Sequence, residues 1–381
     1  MSNKQKEKTV HSSSVGADEG QSIQKTIDDS ITKSEENCKG DFKDLFKMQK
    51  ELRKKLSPSY METVTMSELY DTSYISKPAI IDGLLYPGTY LFVGAPKIGK
   101  SFLMAQLAYH ISTGQELWNN PVNQGKVLYL ALEDDYARLQ KRLYRMFGTD
   151  GTDNLFFSVS AKNLNGGLFD QLEKFISNNP DTKLIIIDTL QKVRESATEK
   201  YSYASDYEVI AQLKKFSSQY SICLLLVHHT RKQNSEDKFD MISGTNGLLG
   251  AADGAFLLQK EKRTAKTATL DISGRDQQDQ KLYLTRNEER LIWKLERAET
   301  ELWKEKTDPL LELIAGKITT KNPIWDGSIS DFKDFLGIDI TPIQLGMKLN
   351  VTATRLLNEY KIRYESRRTH AGRRIKFELF A

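Results

Sequence analysis

Cysteine is nearly missing from this chain: Cys38 stands in a polar stretch and Cys223 inside an apolar run, and 381 residues contain no others. That argues against a disulfide framework or a cysteine-built zinc site and fits a reducing cytoplasm, the expected location. No apolar run approaches the roughly 20 residues that span a bilayer, and the polar N-terminus has no signal-peptide core. No membrane partner is therefore expected. The first 40 residues hold no aromatic side chain, so they cannot bury enough apolar surface to offset the entropy of ordering. Large net charge is missing as well: 55 Lys and Arg against 51 Asp and Glu leave +4. A nucleic-acid argument must then rest on where the charge sits. No period of 20–50 residues marks a repeat protein.

The remainder is ordinary for a globular protein, 39% hydrophobic and 28% charged, and long enough for two domains or one large domain with appendages. Residues 1–41 are expected to be a disordered polar tail. Within 42–74, Phe42, Leu45, Phe46, Met48, Leu52 and Leu56 fall near helical spacing up to Pro58, which predicts a helix and then a linker. From 75 to 306, short apolar runs alternate with longer amphipathic ones, predicting an α/β sheet with crossover helices. The runs 126–132, 183–187 and 222–227 are continuously apolar rather than alternating after the leading Lys126 and Lys183 of the first two, so both sheet faces should be covered. Runs at 268–273, 281–285 and 291–295 lack intervening helices and predict an antiparallel extension. The charged stretch Glu296 to Lys306 then leads to a small domain, 307–381. It reads as helices around 308–316, 328–336, 341–348 and 351–359, then two strands flanking Arg367 to Arg374. This helix-turn-helix with a basic hairpin is a winged-helix pattern. From Thr341 onward nine basic residues face three acids.

The most informative segment is Gly94-Ala95-Pro96-Lys97-Ile98-Gly99-Lys100-Ser101, between the strand-like Thr89–Val93 and the helical pattern Phe102–Thr113. Strand, glycine-rich loop and helix is the context of a phosphate-binding loop, with the glycines admitting phosphate close to backbone amides. In such a loop the helix start adds its positive dipole end, Lys100 reaches the terminal phosphates and Ser101 ligates magnesium. The expected ligand is a nucleoside triphosphate with Mg2+.

Hydrolysis requires further groups: a carboxylate for the metal shell, one for water and a cation for developing charge. The strand 183–187 ends in Asp188, placed to hold magnesium. The strand 126–132 ends in Glu133-Asp134-Asp135, where Glu133 is the candidate base and Asp134 or Asp135 can cap the next helix. The strand 222–227 ends in His228-His229, a candidate phosphate sensor. A polar stretch follows, starting with Arg231 and Lys232, positioned to meet the ligand.

In this ordered set, together with LLVHHTRK and SGTNGLLGAADGAFLL, residues 75–296 resemble RecA-type ATPases of the RepA-like plasmid replicative helicase group. The resemblance implies a RecA-like P-loop core of the AAA kind, hexameric ring assembly, ATP bound between neighbours, and DNA and other replication proteins as partners. It implies that Lys100 and Ser101 serve phosphate and magnesium, Glu133 activates water, Asp188 holds magnesium and His228 or His229 senses nucleotide. It also implies that Arg275 reaches a neighbour's ATP as an arginine finger, with Arg263 as the competing candidate. The last 75 residues resemble winged-helix modules of replication and mobile-element ATPases. Arg355, Arg367, Arg368, Arg373 and Arg374 are the candidate DNA contacts there, beside Arg231 and Lys232 in the core. Helicase action is one expectation. A DNA-binding initiator or regulator that uses ATP as an assembly switch is another, and a recombination or signalling ATPase a third.

Overall fold

The computed structural model describes residues 42–74, 78–194, 203–230, 246–262, 264–275, 277–300, 307–369 and 372–380. The expected tail, Arg231, Lys232 and Arg263 lie outside the described residues. The chain divides into two compact units, Met1–Thr72 and Ser73–Ala381.

In the first unit, α1 spans Phe42–Leu56, as its apolar spacing predicts, and ends just before Pro58, which cannot donate to a preceding turn. A short α2, Met66–Asp71, was not anticipated. It starts at Thr65, whose hydroxyl accepts from the Glu68 amide (3.2 Å) while the Glu68 carboxylate accepts from the Thr65 amide (2.7 Å). This capping box satisfies two amides that the helix itself leaves open.

The second unit is built on a nine-stranded sheet ordered β3-β2-β4-β5-β1-β6-β7-β8-β9. The parallel strands are β1 (Gly88–Gly94), β2 (Lys126–Ala131), β3 (Leu155–Ser158), β4 (Thr182–Asp188), β5 (Cys223–His229) and β6 (Gly254–Gln259). The antiparallel extension comprises β7 (Thr267–Gly274), β8 (Gln280–Arg286) and β9 (Trp293–Thr300). The connecting helices include α3 (Lys100–Thr113), α4 (Tyr136–Phe147), α5 (Phe169–Asn178), α6 (Leu190–Val193), α7 (Tyr203–Tyr220) and α8 (Asn246–Ala251). This is a RecA-like P-loop core with a mostly parallel central sheet.

Strand alternation explains the continuous apolar runs. Tyr90, Phe92, Tyr129, Ile186 and Val227 join Leu103, Met104 and Leu107 of α3 in one core. Leu91, Val93, Leu130, Ile187 and Leu226 pack on the other face with Ile210, Leu213 and Phe216 of α7. Each fully buried aliphatic or aromatic side chain contributes about 1.5–3 kcal/mol, which commits every strand to a single register. The same alternation sorts the strand tips. Asp188 shares the α3 side with Ile186, and His229 shares it with Val227, whereas His228 falls to the opposite side.

Two expectations in this region are corrected. The last strand does not run over 291–295: Leu291 adopts a left-handed φ of 59° and closes a turn by donating its amide to the Asn287 carbonyl at 2.9 Å. Strand β9 then continues past the expected end at Leu295 through Glu296–Thr300, into the charged stretch, because β8 supplies a hydrogen-bonding edge that outweighs local polarity.

The C-terminal residues form α9 (Pro309–Lys317), β10 (Ile324–Ser328), α10 (Ile329–Leu336), α11 (Pro342–Tyr360), β11 (Ile362–Thr369) and β12 (Gly372–Leu379), with the strands ordered β10-β12-β11. Their own core includes Leu311, Ile314, Phe332, Leu345, Leu349, Leu356, Ile375 and Phe377. The two helices expected at 341–348 and 351–359 are one. Asn350, in the gap between them, is buried and accepts a hydrogen bond from the Tyr364 hydroxyl at 3.0 Å, while Leu345, Leu349, Ala353 and Leu356 keep the buried stripe continuous. Trp325-Asp326-Gly327-Ser328 fall in strand β10, before α10. The four arginines sit within β11 and β12, with Arg367 opposite Arg374 and Arg368 opposite Arg373.

Candidate active site at the tips of the parallel strands

The loop after β1 is shaped by backbone constraints. A Cβ on Gly94 would stand 2.7 Å from the Leu258 carbonyl oxygen, a backbone atom that cannot yield. Gly99 has φ +107°, and a Cβ there would stand 3.0 Å from the Trp293 ring. Trp293 is fully buried and donates its indole N–H toward the Gly99 carbonyl (3.4 Å), while its backbone amide donates to Gln106 of α3 (2.7 Å). The far strand of the extension thus braces the loop from below. Ala95, Pro96 and Lys97 are exposed, Ile98 is buried, and Lys97 holds a left-handed φ of 65°. Such a turn leading into a helix start gathers backbone N–H groups into an anion-binding concavity. Phe102, in the first turn of α3, is half-buried with the Arg286 guanidinium 4.2 Å from its ring centroid.

Lys100 is 6% exposed and donates from Nζ to the carbonyls of Gly94 (2.7 Å) and Ala95 (3.0 Å), with His229 Nδ1 at 3.2 Å. Burial pushes its ammonium down to about 8, against the pull of Asp188 and Glu133. His229 is held below the ordinary histidine value by burial and by Lys100, so it faces the ammonium as a neutral ring. His228 is buried on the other side of β5.

Asp188, at the end of β4, is 7% exposed and accepts from the Tyr129 hydroxyl at 2.8 Å. Burial raises its carboxyl pKa, while hydrogen bonds from Tyr129 and Ser101 oppose that rise. Of the acids after β2, Asp135 caps α4 by accepting from the Arg138 amide (2.8 Å), and Asp134 pairs with Arg142 (2.6 Å). Glu133 alone of the three faces the loop, where it accepts from the Thr189 hydroxyl at 3.2 Å and acts electrostatically on Lys100. Lys100, Ser101, Glu133, Asp188 and His229 are thereby brought together.

Arg275 is not among them. It follows β7 at the opposite end of the sheet, is exposed, and donates to the Gly250 carbonyl at 3.1 Å. In the C-terminal sheet, Asp326 binds Arg374 (2.6 Å) and lies 3.8 Å from Arg367, and Arg355 pairs with Glu359 (2.7 Å). Arg368 is exposed and Arg373 half-buried.

A glycine-rich loop at a helix start beside two carboxylates has the groups that nucleotide hydrolysis requires. Residues 57–235 match the family described as AAA domain. The match spans just under half of the chain. Among curated proteins, none matches the chain significantly. Three solved structures are similar at 14% identity each. The ATPase domain of G40P has a TM-score of 0.46 over 55% of this chain and 84% of its own. A DnaB-like replicative helicase, described with its interactions with primase, has 0.47 over 72% and 75%. A KaiC-like protein from the hyperthermophilic archaeon Pyrococcus horikoshii has 0.42 over 59% and 99%. The fold assignment rests on the strand order and on the loop's place at the tip of β1.

The residues around the loop after β1 fit ATP and Mg2+. The backbone N–H groups of the turn into α3 can receive phosphate, and the Ser101 hydroxyl with the Asp188 carboxylate makes the hard oxygen donor set that magnesium prefers. Sequence reasoning missed Tyr129 and Thr189, which hold the two carboxylates. A tyrosine within an otherwise aliphatic strand, four residues before Glu133, was the available signal. Among the described residues no helix is long and apolar enough to cross a membrane.

Proposed function

We propose that this protein is an ATP-hydrolysing motor acting on DNA, a replicative helicase of a plasmid or other mobile element, working in the cytoplasm as a hexameric ring with other replication proteins. The observation that carries hydrolysis is the convergence of Lys100, Glu133 and Asp188 around one loop. Lys100 turns from the Gly94 and Ala95 carbonyls to the terminal phosphates and neutralises them. Glu133, steadied by Thr189, takes a proton from the attacking water. Ser101 and Asp188 hold magnesium, which supplies charge neutralisation on the phosphate oxygens when bound. His229, which faces Lys100, senses the terminal phosphate, whereas His228 points to the other side of β5. Arg275 lies five strand residues from the level of Gly94, about 16 Å along the sheet, too far to serve its own loop. That position supports a finger reaching a neighbouring subunit's ATP.

The DNA reading rests on the C-terminal order helix, strand, helix, helix, strand, strand, which is that of a winged helix, and on its arginine pairs. Arg355, Arg367, Arg368, Arg373 and Arg374 contact phosphates there; Arg231 and Lys232 add contacts from the core. The alternative, an initiator or regulator with ATP as an assembly switch, is favoured by the same module, since helix-turn-helix elements read duplex grooves.

The test measures DNA-stimulated hydrolysis and displacement of a strand from a forked duplex, in the native protein and in Lys100→Ala and Glu133→Gln. Lys100→Ala should abolish hydrolysis. Glu133→Gln should bind ATP normally and lose roughly 10²–10⁴ in turnover, the worth of a general base; full turnover refutes the site. Hydrolysis without displacement supports the initiator.

A further inference from the structure

Tyr129 is a fully buried tyrosine in the middle of β2. Its ring packs against Phe157 with centroids 5.6 Å apart, and a phenylalanine would fill that space equally well. A hydroxyl buried among aliphatic side chains is unfavourable unless it is hydrogen-bonded, so packing does not account for it. Its partner does: the hydroxyl donates to Asp188 Oδ2 at 2.8 Å, and Ser101 shares hydrogen bonds with both. A carboxylate rotates readily about its terminal torsion. Anchoring one oxygen fixes the plane in which the other is presented.

We propose that Tyr129 is a positioning residue for the magnesium shell, locking the Asp188 carboxylate in the orientation that receives, together with Ser101, the hydrated divalent cation accompanying the triphosphate. This rests on the reading of Ser101 and Asp188 as magnesium-binding. Groups that orient metal ligands are worth about 10–100-fold in metal affinity or activity. Tyr129 acts through Asp188 and does not touch the phosphates.

The experiment titrates Mg2+ into the full chain with a fluorescent ATP analogue and reads analogue affinity, with no turnover required. In EDTA, Tyr129→Phe should bind the analogue within twofold of the native protein. Its half-saturating Mg2+ concentration should rise about tenfold or more. Phe157→Leu, which disturbs the same core without removing the hydroxyl, should leave that concentration unchanged. A native Mg2+ response in Tyr129→Phe overturns the proposal, as does an equal rise in Phe157→Leu. Asp188→Asn separates the two levels of argument. If it retains the Mg2+-dependent gain in affinity, the magnesium site itself is wrong; if it loses the gain while Tyr129→Phe keeps it, the role of Tyr129 alone fails.

Discussion

The Lys100 ammonium offers a direct physical test of the loop, because burial brings it from an ordinary 10.5 to about 8. A shift of that size corresponds to about 3 kcal/mol of disfavour for the charged form in the nucleotide-free protein. Only the ammonium neutralises phosphate. Below pH 8 the lysine is already charged and affinity for a triphosphate should be flat. Above pH 8 each bound triphosphate must first recruit a proton, so affinity should fall by up to tenfold per pH unit until the bound-state pKa is passed. The ligand adds no slope of its own there, because a terminal phosphate loses its last proton near pH 6–7. The assay is equilibrium binding of a fluorescent ATP analogue in EDTA between pH 6.5 and 10. Lys100→Arg remains charged throughout that range and should flatten the curve, whatever its absolute affinity. Stability offers a second readout with a defined sign. Between about pH 8 and 10.5 the unfolded chain binds the proton that the folded chain has released, so the nucleotide-free protein should gain stability as pH rises through that window. Native affinity that stays flat to pH 9.5, or an identical slope in Lys100→Arg, would refute the buried-lysine account.

Two further outcomes concern residues away from the loop. Arg275→Ala should lower turnover by about 10³ or more, as loss of a phosphate-directed arginine does, and mixing it with Glu133→Gln should restore partial hydrolysis by pairing a good finger with a good site; mixtures no more active than their components would sink the trans role. Asp326→Asn frees Arg374 and Arg367 and should strengthen DNA binding at low salt, whereas Arg367→Ala or Arg374→Ala should each reduce the salt-dependence slope by about one. Filter-binding or anisotropy titrations at several salt concentrations check both, and indifference to all three substitutions argues against the wing as a DNA surface.

Much of the site was legible because its chemistry is encoded locally. Gly94, Gly99, Lys100 and Ser101 are neighbours in one loop whose backbone needs glycine at 94 and 99, and Glu133 and Asp188 each follow an apolar run that ends in a strand tip. The capping role within the acid triplet was legible too, since Asp135 does cap α4. Less legible were features set by what lies across the sheet. Nothing near Leu291 announced that β9 would begin at Trp293 and extend through Glu296–Thr300, for its pairing partner is β8. The gap between the helices expected at 341–348 and 351–359 closes because buried Asn350 finds its partner in Tyr364, fourteen residues away.

By itself, the amino-acid sequence determined the α/β core, the phosphate loop and the two carboxylates that follow β2 and β4, because periodicity and backbone conformation depend on near neighbours. Tertiary structure decided which histidine faces Lys100, that Arg275 stands at the far end of the sheet from its own loop, that Trp293 braces Gly99, and that Tyr129 holds Asp188. Those relations depend on strand parity and on contacts between residues that meet only when the sheet is assembled, a pairing no local pattern specifies.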